Sequence, residues 1–166
     1  MILLDTNVVS EVMKSVPDAA VVAWVDKAPR ATLFVASVTE AELLYGVALL
    51  VPGRRREGLA RAINFTFAQY FRGRILPFDS AAAAAFAEIA ASRRKAGRPI
   101  GQSDAQIAAI AHTHGATLAT RDKADFEGCG VTVVDPGRRS EDRRRRGRIC
   151  RTAMPRIRRQ GWCWPD

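Results

Sequence analysis

The first seven residues, Met1-Ile2-Leu3-Leu4-Asp5-Thr6-Asn7, constrain the fold more than any other stretch of the chain. Ile2, Leu3 and Leu4 form an apolar run without helical spacing, which reads as a strand buried on both faces. The run ends on Asp5, and Asn7 is expected to N-cap a helix that starts at Val8. A carboxylate at the carboxyl end of a central strand stands where open α/β sheets bind ligands. An unpaired charge buried there loses several kcal/mol of hydration. Asp5 therefore needs a cation, a set of donors or a metal.

The rest of the chain alternates strand and helix patterns. The first helix is expected to run to about Lys14, and Pro17-Asp18 caps a second one through Val21, Trp24 and Val25. Thr32 to Ala36 is rich in β-formers and reads as the second strand. Helices follow over 38–50, from Arg54 to about Phe71, and over 80–96 with Asp79 as cap, with a brief strand at Ile75-Leu76 between the last two. A helix over about 103–114, strands at 116–119 and 131–134, and a turn over 121–126 complete the pattern. Such alternation implies right-handed crossovers and a mainly parallel sheet of about five strands with helices on both faces.

Charge separates the chain into two parts. The net charge is +9, but from Arg138 onward there are 11 arginines and 3 acids, whereas residues 1–137 carry a net charge of only +1. The division expected is a globular domain over 1–136 and a basic, disordered tail over 137–166. The tail reads either as an arm for RNA or DNA phosphates or as an extension without an evolved role. The second reading weighs more, since no helix or motif can be built there. Cys129, Cys150 and Cys163 form no disulfide framework and fit a reducing, cytoplasmic setting. No signal peptide or membrane span is expected.

Three further acids fall where a parallel sheet would bring them towards Asp5. Asp104 opens the helix before the fourth strand, Asp122 follows that strand, and Glu42 lies one turn into the helix after the second. Each has a duller role available: Asp104 and Asp122 as helix-dipole acids, Asp5 held in an Asx-type turn. Glu42 falls within an apolar stripe of Val38, Ala41, Tyr45 and Leu49, but that helix is apolar nearly all round, so periodicity does not choose between Glu40 and Glu42. Two carboxylates about 4 Å apart repel by roughly 4 kcal/mol at an effective dielectric near 20. Four in one pocket would need a cation, and an all-oxygen set suits Mg²⁺ or Mn²⁺.

Four stretches in order resemble the PIN domain: Ile2 to Asn7, Ser37-Val38-Thr39-Glu40-Ala41-Glu42-Leu43-Leu44-Tyr45-Gly46, Asp104 to Ala109, and Ala119-Thr120-Arg121-Asp122-Lys123-Ala124-Asp125-Phe126. The resemblance covers residues 1–136 and is nearest to VapC-type toxins of bacterial toxin–antitoxin pairs, including the FitB-like branch. It implies a PIN-like three-layer fold and a Mg²⁺- or Mn²⁺-dependent endoribonuclease whose metal-binding acids are Asp5, Glu42, Asp104 and Asp122. Glu42 is chosen here by the family's T-x-A-E-L-x-x-G pattern. Thr6 and Thr120 match hydroxyl supports, and Asp125 competes with Asp122 for the fourth acid. The resemblance further implies a homodimer, an RNA substrate, a VapB-like antitoxin, and DNA contact only through that antitoxin. The tail departs from the family pattern.

Arg93 and Arg94 are expected at a groove rim, in contact with RNA or antitoxin; solvated helix faces are the commoner meaning of such runs. His112 and His114, two apart, lie on different helix faces and are not a metal pair. No phosphate-binding glycine loop occurs. An aspartyl-phosphate mechanism would want an acid where Asn7 stands. A competing function is a binding module: the antitoxin-binding component of a DNA-bound autorepressor complex with little nuclease activity.

Overall fold

A computed structural model of the chain describes residues 1–137; the stretch from Arg138 onward, where the basic tail was expected, lies outside the described residues. Five strands form one sheet: β1 (Ile2–Leu4), β2 (Leu33–Ala36), β3 (Ile75–Leu76), β4 (Thr117–Ala119) and β5 (Val133–Val134). Their order is β3-β2-β1-β4-β5, and every pairing is parallel. Parallel neighbours need long crossovers, which the helices supply. These are α1 (Thr6–Met13), α2 (Ala19–Lys27), α3 (Ser37–Ala48), α4 (Arg54–Phe65), α5 (Ser80–Lys95) and α6 (Gln102–Thr113).

Successive residues of β1 point to opposite faces, and each meets a separate core. Leu4 packs with Val8 and Val9 of α1, Val21 and Val25 of α2 and Leu43 of α3. Leu3 packs with Ile89 of α5, Ile107 and Ile110 of α6 and Leu118 of β4. Both leucines are fully buried, as the unbroken apolar run requires. The three-layer arrangement read from the sequence is the one observed.

Local signals set most boundaries. Asp18 caps α2 by accepting from Ala20 N, and Asp79 caps α5 by accepting from Ala82 N at 2.9 Å. Gly115, at φ +57, ends the turn after α6, a conformation that disfavours any side chain. The first helix departs from expectation. It starts at Thr6, and its N-cap is Asp5, whose side chain accepts from Thr6 N. Asn7 is thus inside the helix, with its amide free to reach another element. The last strand is also shorter than the 131–134 expected. Among the described residues no helix is long and apolar enough to cross a membrane.

The central position of β1 decides where a site can form. The sheet extends from it in both directions, with β2 on one side and β4 on the other. A crevice opens beyond the carboxyl end of a strand so placed, and Asp5 is the first residue past that end.

Candidate active site

The parallel register between β1 and β4 pairs Leu4 with Ala119, so the residues after them, Asp5 and Thr120, emerge together. Asp5 N donates to Ala119 O at 2.9 Å. The side chains complete the link: Thr120 Oγ1 donates to Asp5 Oδ2 at 2.7 Å, and Thr6 N donates to Asp5 Oδ1 at 2.7 Å. Asp5 is 4% exposed and Thr120 wholly buried. The other side of β1 delivers Glu42. Helix α3 leaves β2, and Thr6 Oγ1 donates to Glu42 Oε2 at 2.5 Å while lying 3.2 Å from Thr39 Oγ1. Glu40, two residues earlier and about 200° round the helix, lies on the opposite side. Thr6 and Thr120, which the resemblance implied as hydroxyl supports, each donate a hydrogen bond to one of these acids.

Asp122 is held by a residue that the sequence reading had assigned to a helix cap. Asn7 Nδ2 donates to Asp122 Oδ2 and to Thr120 Oγ1, each at 2.9 Å. Asn7 Oδ1 accepts from Arg121 N at 3.3 Å, and Asp122 N donates to Thr120 Oγ1 at 3.1 Å. The single Thr120 hydroxyl therefore donates to Asp5 and accepts from both Asn7 and Asp122. Nothing local in the sequence marks Asn7 for this role, because its partners lie more than 110 positions away.

Asp104 stands in the first turn of α6, half-buried. A Cβ at Gly101 would come within 2.9 Å of Asp104 Oδ2, so the glycine leaves room for the carboxylate. Asp125 lies in a short 3₁₀ turn, Lys123–Phe126, and is exposed.

The electrostatics show that these acids share one field. Burial pushes Asp5 from 3.8 up to about 6; the hydrogen bonds from Thr120 and Thr6 oppose the rise, and the charges of Asp104 and Glu42 add to it. Asp104 is likewise raised, first by burial and then by Asp125, Glu42 and Asp122. Asp125 acts on Asp104 more strongly than Asp122 does, although Asp122 is the one tied to Asn7.

The donor chemistry fits a hard divalent cation. The five acids and the Thr6 and Thr120 hydroxyls offer oxygen donors, with the Asn7 amide beside them, and none of the ion pairs between described residues involves these acids. Among the described residues no arginine or lysine forms an ion pair with these acids, which leaves their repulsion for a cation to relieve. Among the described residues, no three or more acidic, histidine or cysteine side chains stand close enough together to hold a metal ion as they are placed here. Glu42 and Asp104 are half-buried, and Asp122 and Asp125 are exposed to solvent.

Two other residues correct or extend the sequence reading. Arg93 is not at a groove rim: it is 7% exposed, and its Nη1 donates to the Glu127 carbonyl. The helix face it occupies packs inward, whereas Arg94 beside it is exposed. Glu11, which the sequence reading passed over, is a buried acid on α1 that pairs with Arg121 and Lys14. Burial raises Glu11, but the Lys14 and Asp18 hydrogen bonds and the Lys14 and Arg121 charges outweigh it and hold the carboxyl low.

Comparison with known proteins gives a consistent answer. The profile of the PIN domain matches residues 2–128. A relative described as VapC ribonuclease Y4jK, from Sinorhizobium fredii, is 40% identical over 136 residues, spanning 82% of this chain and 97% of its own length. One described as Toxin FitB, from Neisseria gonorrhoeae, is 41% identical, spanning 82% of this chain and 98% of its own. Among solved structures, a chain of FitAB bound to an IR36 DNA fragment superposes with a TM-score of 0.80 at 39% identity, covering 86% of this chain and 99% of that one.

Proposed function

The chain belongs to the PIN-domain family, and from that premise we propose that it is a divalent-metal-dependent endoribonuclease, the toxin of a toxin–antitoxin pair. The observation that carries the reading is the shared field of Asp5, Glu42 and Asp104 beyond the carboxyl edge of the sheet, with no ion pair to these acids among the described residues. Asp5, Glu42, Asp104 and Asp122 would hold Mg²⁺ or Mn²⁺, with Asp125 at the rim. When bound, such a cation activates water and offsets charge at a phosphodiester undergoing in-line displacement.

The protein's own groups do the rest. Thr6 and Thr120 orient the Glu42 and Asp5 carboxylates, and Asn7 keeps Asp122 beside them. The exposed side of the acids, at Asp122 and Asp125, would face an RNA strand, whose phosphate charge only a cation makes tolerable there.

The partners follow from the relatives and from charge. A VapB- or FitA-like antitoxin is the expected partner, as in the FitAB assembly, with the chain a homodimer in the cytoplasm. A second reading, a component of an autorepressor complex, is favoured by that assembly's being bound to DNA. Residues 1–137 carry a net charge of +1, too little to attract a duplex, so DNA contact belongs to the antitoxin.

Incubating the purified full chain with end-labelled RNA and Mg²⁺ or Mn²⁺ tests the nuclease reading. Cleavage should vanish in EDTA and in Asp5→Asn while the circular dichroism of the variant stays native. Undiminished cleavage in either case sinks the metal mechanism, and no cleavage by the wild type favours the repressor component.

A further inference from the structure

The loop that carries Asp122 is a short segment placed among like charges. Asp122 follows β4 by three residues, is exposed, and stands in the field of Asp104. Repulsion of this kind favours rotation of the carboxylate outward unless the backbone beneath it is fixed.

Arg121, immediately before Asp122, is where that backbone is fixed. Its Nη1 donates to Glu11 Oε2 at 2.5 Å. The Glu11 side chain is 6% exposed and makes two further bonds: Oε2 accepts from Lys14 Nζ at 2.9 Å, and Oε1 from Asp18 N at 2.8 Å. One carboxylate thus joins α1, the turn into α2 and the segment after β4. The main chain is gripped as well, since Arg121 N donates to Asn7 Oδ1 and Asp122 N to Thr120 Oγ1. Helix α1 therefore holds this segment at both ends of its first two turns: Asn7 on the Arg121 amide and the Asp122 carboxylate, and Glu11 on the guanidinium.

The geometry points to Arg121 and Glu11 as a positioning pair: their ion pair holds the 120–122 segment against α1 so that Asp122 stays beside Asp5 and Asp104. This rests on the nuclease reading for its consequence in cleavage, but the clamp itself is a property of the metal-free chain. The planar guanidinium of arginine holds its donors in a fixed geometry, which fixes a partner better than a flexible ammonium does.

The two residues carry opposite charges, which makes the test discriminating. Arg121→Met removes a positive charge near the acids, and Glu11→Gln removes a negative one. If net charge governed the site, the variants would act in opposite directions; if the pair positions Asp122, both act alike. Glu11 keeps Lys14 and Asp18 N when Arg121 is replaced, so Arg121→Met retains a satisfied core and serves as the folded control.

The experiment is amide hydrogen exchange on the full metal-free chain, with RNA cleavage measured in parallel. In both variants the amides of Arg121 and Asp122 should lose at least about tenfold protection while β1 and β4 amides keep theirs. Cleavage should lose about tenfold in kcat with KM little changed, the double variant should lose no more than either single one, and Arg121→Lys should recover part of the loss. Unchanged protection in both variants overturns the clamp. Lost protection with unaltered kcat overturns the positioning role, and so do opposite effects of the two variants on kcat. A wild-type chain that cuts no RNA is the failure of the nuclease reading itself, and it removes the positioning role with it even where the exchange result stands.

Discussion

Thr120 Oγ1 donates to Asp5 Oδ2 at 2.7 Å, joining two residues 115 positions apart through the register of two adjacent parallel strands. This bond lies where the charges of Asp104 and Glu42 act on Asp5, and the hydroxyl that makes it also accepts from Asn7 and Asp122. Removing it strips a partner from three polar groups at once. Thr120→Val should destabilise the chain by about 1–3 kcal/mol and lower cleavage by about 10- to 100-fold. Thr120→Ser, which keeps the hydroxyl, should recover most of both. Urea unfolding and RNA cleavage rates check the pair of variants.

Asp5 gives the metal-free protein a distinctive pH dependence. Its carboxyl is raised from 3.8 to about 6, so the folded state resists an ionisation that the unfolded chain undergoes freely. Its contribution is absent below about pH 4, grows as a penalty through pH 4–6, and reaches about 3 kcal/mol above that. In EDTA, the stability of Asp5→Asn relative to wild type should therefore rise by about 3 kcal/mol between pH 4 and pH 7. Divalent cations should oppose the wild-type loss by stabilising the ionised form. Urea titrations at several pH values, with and without Mn²⁺, measure both effects.

Asp122 and Asp125 compete for the fourth place, and the structure separates their surroundings. Both are exposed, but Asp122 is gripped by Asn7, whereas Asp125 acts on Asp104 more strongly by charge alone. A fixed carboxylate contributes more to a metal site than a mobile one. Asp122→Asn should lower kcat by about 100-fold and Asp125→Asn by about 10-fold, with native melting temperatures in both. Parallel cleavage assays at saturating Mg²⁺ decide the ranking, and a larger loss in Asp125→Asn would reverse the assignment.

Arg93 and Arg94 are adjacent in sequence but belong to different parts of the protein. Arg93 is buried and bonded to the Glu127 carbonyl, and its Nε has no partner among the described residues. Arg93→Ala should cost about 2 kcal/mol through lost packing and the stranded carbonyl, leaving KM for RNA unchanged. Arg94→Ala should alter stability by less than about 0.5 kcal/mol. Thermal unfolding of the two variants separates them directly.

What the sequence alone determined is the sheet and the edge on which the acids gather. An apolar run ending on Asp5, and later strands flanked by helix signals, follow local rules of burial, periodicity and crossover handedness. Those rules are enough to bring Asp5, Glu42, Asp104 and Asp122 to one end of a parallel sheet. They do not settle side-chain direction. Helix α3 is apolar nearly all round, so periodicity does not separate Glu42 from Glu40; the family pattern picks Glu42, and in the fold it is Glu42 that meets Thr6. Asn7 looks like a helix cap until β4 brings Thr120 and Asp122 against it. Arg93 looks solvated until Glu127 packs over it, and Glu11 looks like a surface acid until Arg121 arrives from 110 positions away. In each case the deciding partner is distant in sequence. Its hydrogen bond exists only once the strands are in register and water is excluded from between them.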